Sequence, residues 1–303
     1  MDTEALMRKE GGQVIRHAQW GTRRRLEFID FRLLWERRIN RADLEEFFGI
    51  STPQASADLK AYRQLAPDNL AYDSSERAYV AQDGFQPVFV RHDASVYLQD
   101  LASLYSGTLP ENLCFIGNAP TYDEVPIPYR HVNPTVLGEI LNTLRKPCSL
   151  VIRYQSMSTE EPTWRAISPH AIASDGLRFH VRAYCHKKER FQDFVLSRVL
   201  ETGTIQPNNV DASQDVKWQE IVRVHLAPHP GLSKEQRESV EREYEMVSGV
   251  RTIEVRRALL FYLLNRLRLD EFRELRSPRS QQIIALNPEE LKPELSTVYE
   301  HKT

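Results

Sequence analysis

Polar side chains alternate with apolar ones along the stretch 179–184. His180, Arg182 and Tyr184 are separated by apolar residues, and this period of two places them together on one face of a β-strand. Arginine and hydroxyl groups bind phosphate through charge-assisted hydrogen bonds, so the face could bind a nucleotide or a nucleic acid. Further residues between 150 and 200 are candidates to converge on it: Tyr154, Ser156, Arg165, His170 and Arg198. The alternative is an exposed polar sheet face without a ligand.

The charges near this face decide whether it attracts an anion. Arg182 and Arg198 repel each other unless carboxylates pair with them, and they therefore favour an anionic ligand. The nearby acids fall at predicted turns or strand starts, and we expect them not to neutralise the arginines: Asp175, Glu189 and Asp193. The apolar residues of the alternation are expected to face the core: Phe179, Val181 and Ala183.

A second set of polar residues lies on a predicted helix-turn-helix at 40–64. Asn40 is typical of a helix N-cap, Gly49 of a left-handed helix end and Pro53 of a first helical turn. The second helix of such a pair enters the major groove with its N-terminus. Candidate DNA contacts are short or polar residues on this helix and at the tip of a predicted hairpin at 70–81: Ser51, Thr52, Gln54, Ser56, Lys60, Ser74, Ser75 and Arg77. The alternative is a three-helix scaffold for protein contacts.

Basic residues on the supporting helices could neutralise DNA phosphates. The candidates are six arginines: Arg23, Arg24, Arg25, Arg37, Arg38 and Arg41. Six acidic residues nearly cancel them: Glu27, Asp30, Asp43, Glu45, Glu46 and Asp58. A basic footprint must therefore come from the arrangement of these charges.

The composition is that of a soluble globular protein with two or three domains. The 303 residues include 40 basic and 42 acidic ones, for a net charge of −2, and 41% are hydrophobic. This balance excludes a histone-like polycation. Three widely spaced cysteines favour a reducing compartment, most simply the cytoplasm.

Motifs of the common enzyme and metal sites are missing from the sequence. It contains no C-x-x-C pair, no G-x-S-x-G, no Walker A loop and no G-x-G-x-x-G. His225 and His229 have no third ligand nearby. We therefore expect no catalytic residues, no metal and no cofactor.

Hydrophobic periodicity predicts the remaining elements. Helices are expected at 23–38, 93–106 and 134–146, and short alternating strands between 148 and 200, with RFQDFVLSRVL as one strand. A strand at 218–226, a charged helix at 233–246, a strand at 250–255 and an amphipathic helix at 256–268 follow, and the last thirty residues look like a polar tail with short helical pieces. The expected fold class is multidomain α+β, with a winged helix-turn-helix at 1–90, a helical linker at 91–146, a small β-barrel at 147–207 and an α/β extension at 208–303.

Four spaced motifs carry a family resemblance. The stretches 152–156 (IRYQS), 164–170 (WRAISPH), 176–185 (GLRFHVRAYC) and 191–198 (FQDFVLSR) resemble a WYL domain. That family has a small Sm-like β-barrel, usually attached to a winged helix in bacterial transcription regulators. The arrangement through about residue 268 is similar to repressors found beside BREX-associated and CBASS-associated phage-defence operons. The Trp-Tyr-Leu triplet of the family reads Phe179-His180-Val181 here, which bears on ligand choice.

The resemblance implies a homodimeric transcriptional repressor that responds to a ligand. The winged helix would bind an inverted-repeat operator, and the barrel would sense an anionic nucleotide or nucleic acid. The ligand site would use Tyr154, Ser156, His170, Arg182 and Arg198, together with Arg165, His180 and Tyr184. The extension at 208–303 would help dimerisation, and no membrane partner is expected. The alternatives are an enzyme that acts on nucleic acid and an accessory module that binds nucleic acid and regulates a partner enzyme.

Overall fold

A computed structural model describes residues 20–128, 130–269 and 276–291. The chain divides into two compact units, one up to residue 126 and one from residue 127. Each contains helices and antiparallel sheet, in agreement with the predicted α+β class. No helix in the described ranges is long and apolar enough to cross a membrane.

Within its described residues, the first unit has four α-helices and a small sheet. In chain order they are α1 (Trp20–Glu36), β1 (Arg38–Ile39), α2 (Arg41–Phe48), α3 (Thr52–Leu65), β2 (Leu70–Asp73), β3 (Ala78–Ala81) and α4 (Ala94–Tyr105). The strands pair in the order β1-β3-β2. Apolar residues from α1, α2 and α3 form its core, among them Phe28, Leu33, Leu44, Leu59 and Tyr62.

Capping interactions define the helix ends of the helix-turn-helix, as predicted. Asn40 and Asp43 form a reciprocal capping box at the start of α2, with N–H···O distances of 3.0 and 2.7 Å. Gly49 adopts the left-handed conformation, with φ of 63°. Ser51 stands at the N-cap position of α3, but its side chain makes no capping hydrogen bond.

The second unit begins with α5 (Pro134–Thr143), which packs on a five-stranded antiparallel sheet. The strands are β4 (Cys148–Tyr154), β5 (Thr163–Ser174), β6 (Phe179–Cys185), β7 (Arg190–Val195) and β8 (Val199–Pro207), in the order β7-β6-β5-β4-β8. The core face of this sheet is apolar and includes Leu150, Ile152, Ile167, Val181 and Phe194. The prediction of one strand at 190–200 was wrong, because a 3₁₀ turn at Leu196–Arg198 divides it into β7 and the start of β8.

A second sheet follows in this unit. Its elements are α6 (Val216–Gln219), β9 (Ile221–Pro228), α7 (Lys234–Glu243), β10 (Arg251–Arg256), α8 (Arg257–Arg266) and β11 (Ile283–Ala285), with strands in the order β10-β9-β11. The strand predicted at 218–226 begins later, because Asp215 caps α6. Leu260 and Leu264 of α8 are fully buried in this core, so the apolar face of the amphipathic helix predicted at 256–268 packs inside the unit.

The tail prediction is only partly correct in its described part: residues 288–291 are helical as expected, but a strand precedes them. Residues 283–285 pair with β9 as a strand, and Leu291 is fully buried. The remaining tail, residues 292–303, lies outside the described residues.

Candidate functional site

The exposed side of α3 carries most of the predicted DNA contacts. Thr52, Gln54 and Lys60 are exposed, while Ala55, Leu59 and Tyr62 are buried against the rest of the unit. Ser56 is only half-exposed, because the outward position is taken by Ala57. The helix therefore presents a polar N-terminal end and a cation one turn further on.

The amide of Gln54 is held by a neighbour on its own helix. Its Nε2 donates to Oδ1 of Asp58 at 3.1 Å. Asp58 is only 2% exposed and accepts from Nε of Arg25 at 2.6 Å. Arg25 is thus occupied by a carboxylate on α3, which weakens the hypothesis that it neutralises a DNA phosphate.

Four of the other predicted phosphate-binding arginines also have acceptors, and Arg41 is exposed without an ion pair in the described ranges. Arg23 and Arg24 lie within 4 Å of Glu27, Arg38 reaches Glu76 at 3.9 Å, and Arg37 donates to the carbonyls of Ala81 and Gln82. By contrast, Lys60 and Arg63 are exposed on successive turns of α3 and form no ion pair within the described ranges. Sequence reasoning missed Arg63, although its spacing of three residues from Lys60 was the available signal.

The hairpin tip is present where it was predicted, between β2 and β3. Oδ1 of Asp73 accepts from the amide of Ser75 at 2.7 Å and from its hydroxyl at 2.6 Å. These bonds lower the pKa of Asp73 below its ordinary value. The Ser75 hydroxyl therefore stabilises the turn, while Ser74 and Arg77 are exposed at its tip.

A buried ion-pair network covers the outer face of β6, and we call it the Asp215 clamp (His170, Arg182, Asp193 and Asp215). Arg182 donates to both oxygens of Asp215 at 2.7 and 2.9 Å, and to Asp193 at 3.2 Å. Nε2 of His170 lies 2.9 Å from Oδ2 of Asp215. Arg182 is only 5% exposed. The expectation that acids leave Arg182 unpaired was therefore wrong.

Protonation in the clamp follows from burial and pairing. Burial alone would raise the pKa of Asp215, but its bonds to Arg182 and His170 outweigh burial and lower the pKa. Burial lowers the pKa of His170, and Asp215 compensates only in part. Burial would also lower the pKa of Arg182, but its two carboxylates raise it. At neutral pH the clamp thus contains a neutral imidazole, a guanidinium and its carboxylates.

His180 belongs to the same covered face. Its Nε2 lies 3.1 Å from Oδ2 of Asp175, and its ring packs at 4.9 Å from that of Tyr262 on α8. The Tyr262 hydroxyl donates to Asp193 at 3.0 Å. Asp175 was also expected not to pair, and this was wrong. Of the three acids only Glu189 makes no ion pair in the described part of the chain.

The alternation along β6 is only partly as predicted. Val181 and Ala183 are fully buried in the core, but Phe179 is 58% exposed. Tyr184 is half-buried and packs edge-on against His186 and Phe191. The polar side of β6 is thus a packed interface, in contrast to the predicted binding face.

A different arginine lies at the end of the core face, next to Tyr154. Arg165 is 6% exposed, donates to the Thr163 hydroxyl at 3.0 Å and places its guanidinium 5.5 Å from the centre of the Tyr154 ring. No carboxylate pairs with it among the residues that the structure describes. The Tyr154 hydroxyl accepts from the amide of Val195 at 3.2 Å.

Lys188 lies close enough to Arg165 for the two charges to interact, and Arg190 acts on Lys188 in the same way. We call these residues, with Tyr154, the Arg165 cluster (Tyr154, Arg165, Lys188 and Arg190). The pKa of Lys188 lies below its ordinary value because of partial desolvation and then the positive charges of Arg190 and Arg165. Sequence reasoning missed Lys188 and Arg190. The signal was the run K187-K-E-R190, which spans the turn after β6 and the first residue of β7.

Two predicted ligand residues make no hydrogen bond to the arginine of either group in the described part of the chain. The Ser156 hydroxyl bonds that of Ser158 at 2.8 Å within the loop between β4 and β5. The carbonyl of Arg198 accepts from the amide of Gln155 at 3.0 Å, which places its backbone at the end of β4. No hydrogen bond within the described ranges joins either side chain to Arg165 or Arg182.

Three family descriptions match successive parts of the chain. The winged helix-turn-helix domain of BrxR transcriptional regulators matches residues 21–103, the WYL domain matches 135–202, and the C-terminal dimerization domain of BrxR transcriptional regulators matches 221–291.

Whole-chain relatives agree with this order. The chain is 40% identical to the DNA-binding transcriptional repressor CapW of Escherichia coli (strain KTE188), over 90% of this chain and 92% of that protein. It is 42% identical to CapW of Stenotrophomonas maltophilia, over 94% and 95%, and 41% identical to CapW of Pseudomonas aeruginosa, over 91% and 92%. The chain belongs to the CapW family of DNA-binding transcriptional repressors.

The matched ranges place the two arginine groups in this CapW-family repressor. The Arg165 cluster lies wholly within the WYL domain. The Asp215 clamp joins WYL residues to Asp215, which lies between the WYL and dimerization matches, and Tyr262 extends the network into the dimerization domain. His170 and Arg182 therefore join the WYL domain to the segment that precedes the dimerization domain, and Asp193 joins it to Tyr262 of that domain.

Proposed function

We propose that this CapW-family repressor binds an inverted-repeat operator as a homodimer and changes its DNA affinity when an anion binds the Arg165 cluster. The proposal for the sensor is carried by one observation, the buried guanidinium of Arg165 without a carboxylate partner in the described residues. The direction of the change, release or tighter binding, is an outcome of the experiment.

The DNA part of the proposal rests on α3. Its exposed residues Thr52 and Gln54 are suited to base or phosphate contacts, and Lys60 and Arg63 to phosphate contacts. One winged helix buries too little surface for strong specificity, and a two-fold dimer is the common solution. The half-sites would then be inverted repeats, separated by whole turns of about 34 Å.

The sensor part rests on the cost of buried charge. A guanidinium taken out of water is costly unless an opposite charge compensates it. Lys188, which itself interacts with Arg190, adds positive potential beside Arg165, and the Thr163 hydroxyl accepts from Nε of Arg165. A phosphate can accept several charge-assisted hydrogen bonds from such a group. This chemistry fits an effector that is a nucleotide or a nucleic-acid end.

Control of a phage-defence operon is the final part of the proposal. It is supported by the arrangement of winged helix, WYL domain and dimerization domain. Footprinting of the purified protein on DNA upstream of its own gene tests the operator. Two protected half-sites related by a two-fold axis are expected.

Sedimentation completes the test of the dimer. A dimer at micromolar concentration is expected, whereas a monomer that protects one asymmetric site would contradict the proposal. An accessory module that regulates a partner enzyme would instead show no preference for any duplex sequence.

A further inference from the structure

Asp58 is a buried carboxylate in the middle of the helix proposed to enter the major groove. Its oxygens accept hydrogen bonds from two side chains, the exposed amide of Gln54 one turn earlier on α3 and the guanidinium of Arg25 on α1. Arg25 bonds both carboxylate oxygens, at 2.6 Å to Oδ2 and 3.3 Å to Oδ1, and also reaches the Thr22 hydroxyl at 3.2 Å. The carboxylate is therefore fixed in position by the supporting helix.

This fixed carboxylate restricts the amide of Gln54. An ionised carboxylate only accepts hydrogen bonds, so Gln54 can approach it with Nε2 but not with Oε1. The 3.1 Å contact is of this kind. Because Gln54 is exposed while Asp58 is not, the amide oxygen is directed away from Asp58 and is available to a DNA base.

We propose that Asp58 is a positioning residue that sets the base preference of Gln54. With one Nε2 hydrogen held by Asp58, the amide is fixed in orientation, and Gln54 offers Oε1 as an acceptor to the groove beside its remaining Nε2 hydrogen. Adenine and cytosine present an amino donor there, whereas guanine and thymine present keto acceptors that would repel it. The inference rests on the proposed insertion of α3, and it predicts that adenine or cytosine is preferred at the base that Gln54 contacts.

The test is binding-site selection with the full chain on a randomised duplex library. Wild type is compared with Gln54→Ala, Asp58→Asn and the double variant. We expect wild type to prefer adenine or cytosine over guanine or thymine about tenfold at one position of each half-site. Asp58→Asn should reduce that preference below about twofold, because an amide at 58 can also donate to Oε1 and turn the Gln54 amide around.

The double variant Gln54→Ala/Asp58→Asn shows whether Asp58 acts by orienting the Gln54 amide or by stabilising the fold. If Asp58 acts through Gln54, Asp58→Asn leaves the selected sequence unchanged in the Gln54→Ala background. Arg25→Gln is the matched control, because it removes the same ion pair but keeps the carboxylate beside Gln54. It should lower thermal stability and overall affinity while the base preference stays.

Three outcomes would overturn the inference, and they are distinguishable. Gln54→Ala that leaves every position unchanged would refute the insertion of α3 and the inference with it. Gln54→Ala that relaxes one position while Asp58→Asn leaves it intact would refute the role of Asp58 alone. An equal loss of preference in Asp58→Asn and Arg25→Gln would show that the ion pair acts through the fold.

Discussion

Arg165 and Arg182 are buried arginines on adjacent strands of one sheet, yet their electrostatic surroundings are opposite. Arg182 bonds two carboxylates, Asp193 and Asp215. Arg165 bonds the Thr163 hydroxyl and lies near Lys188 and Arg190, with no carboxylate partner in the described part of the chain. Both residues are buried arginines, so the difference between them is whether carboxylates compensate the positive charge.

The difference indicates how a structural arginine is distinguished from one that is available to a ligand. Compensated charge in the clamp joins the WYL domain to the segment before the dimerization domain and needs no further partner. Uncompensated charge in the Arg165 cluster favours an anion. Removal of Arg182 should therefore mainly lower stability, whereas removal of Arg165 should mainly affect the response to an anion.

The largest expected effect is the loss of stability in Arg182→Ala. This change leaves the carboxylates of Asp215 and Asp193 buried without their cation, which costs about 3–5 kcal/mol of unfolding free energy. Urea denaturation followed by tryptophan fluorescence measures it. The control is Arg153→Ala, which breaks an exposed pair with Glu201 and should cost at most about 1 kcal/mol. Equal stability of the two variants would refute the structural role of the clamp.

Acidification should weaken the same clamp. The pKa of Asp215 is lowered in the folded protein, so the stability it contributes is present above the unfolded pKa and is lost as pH falls through the folded pKa. His170 acts in the same direction, because its lowered pKa makes the unfolded chain bind more protons. Stability should fall below about pH 6.5 and again below about pH 4. Asp215→Asn should flatten the fall below about pH 4, and an unchanged slope there would contradict the assignment.

Arg165→Gln should have a smaller effect on stability than Arg182→Ala. It loses the contact with the Tyr154 ring, worth about 0.5–2 kcal/mol, but it leaves no carboxylate buried alone among the described residues. The same urea measurement compares the two variants. A cost as large as that of Arg182→Ala would mean that Arg165 also has a structural ion-pair role.

The smallest expected effect is that of Lys188→Ala on stability. Lys188 lies near two other cations, so its removal relieves repulsion and should change the unfolding free energy by no more than about 0.5 kcal/mol. Urea denaturation at low and high salt measures the change in unfolding free energy. A clear destabilisation that salt does not alter would contradict the proximity of the three charges.

Local chemistry explains which features the sequence predicted correctly. Asn40, Gly49 and Pro53 act through caps and turns within a few residues, and the helix-turn-helix matches the prediction. The alternation in β6 likewise identified the side of the strand that carries His180 and Arg182. Both depend on neighbours along the chain.

Long-range pairing explains what the sequence did not predict. Asp215 lies 33 residues after Arg182, so no local pattern shows that it neutralises this arginine. Strand β11 has three residues and is defined only by its pairing with β9. The Arg165 cluster was missed in part because Lys188 lies in a turn and Arg190 directly follows that turn, where a run of charges usually means solvent exposure.

The central claim is that the Arg165 cluster, and not the outer face with Arg182, senses the effector. A reporter under the operator upstream of the protein's own gene tests it directly, with repression measured before and after phage infection. Wild type and the Arg153→Gln control should both change their repression on infection. Arg165→Gln should still repress but lose the change. If Arg165→Gln responds as strongly as wild type, the Arg165 cluster is not the sensor and the account is wrong.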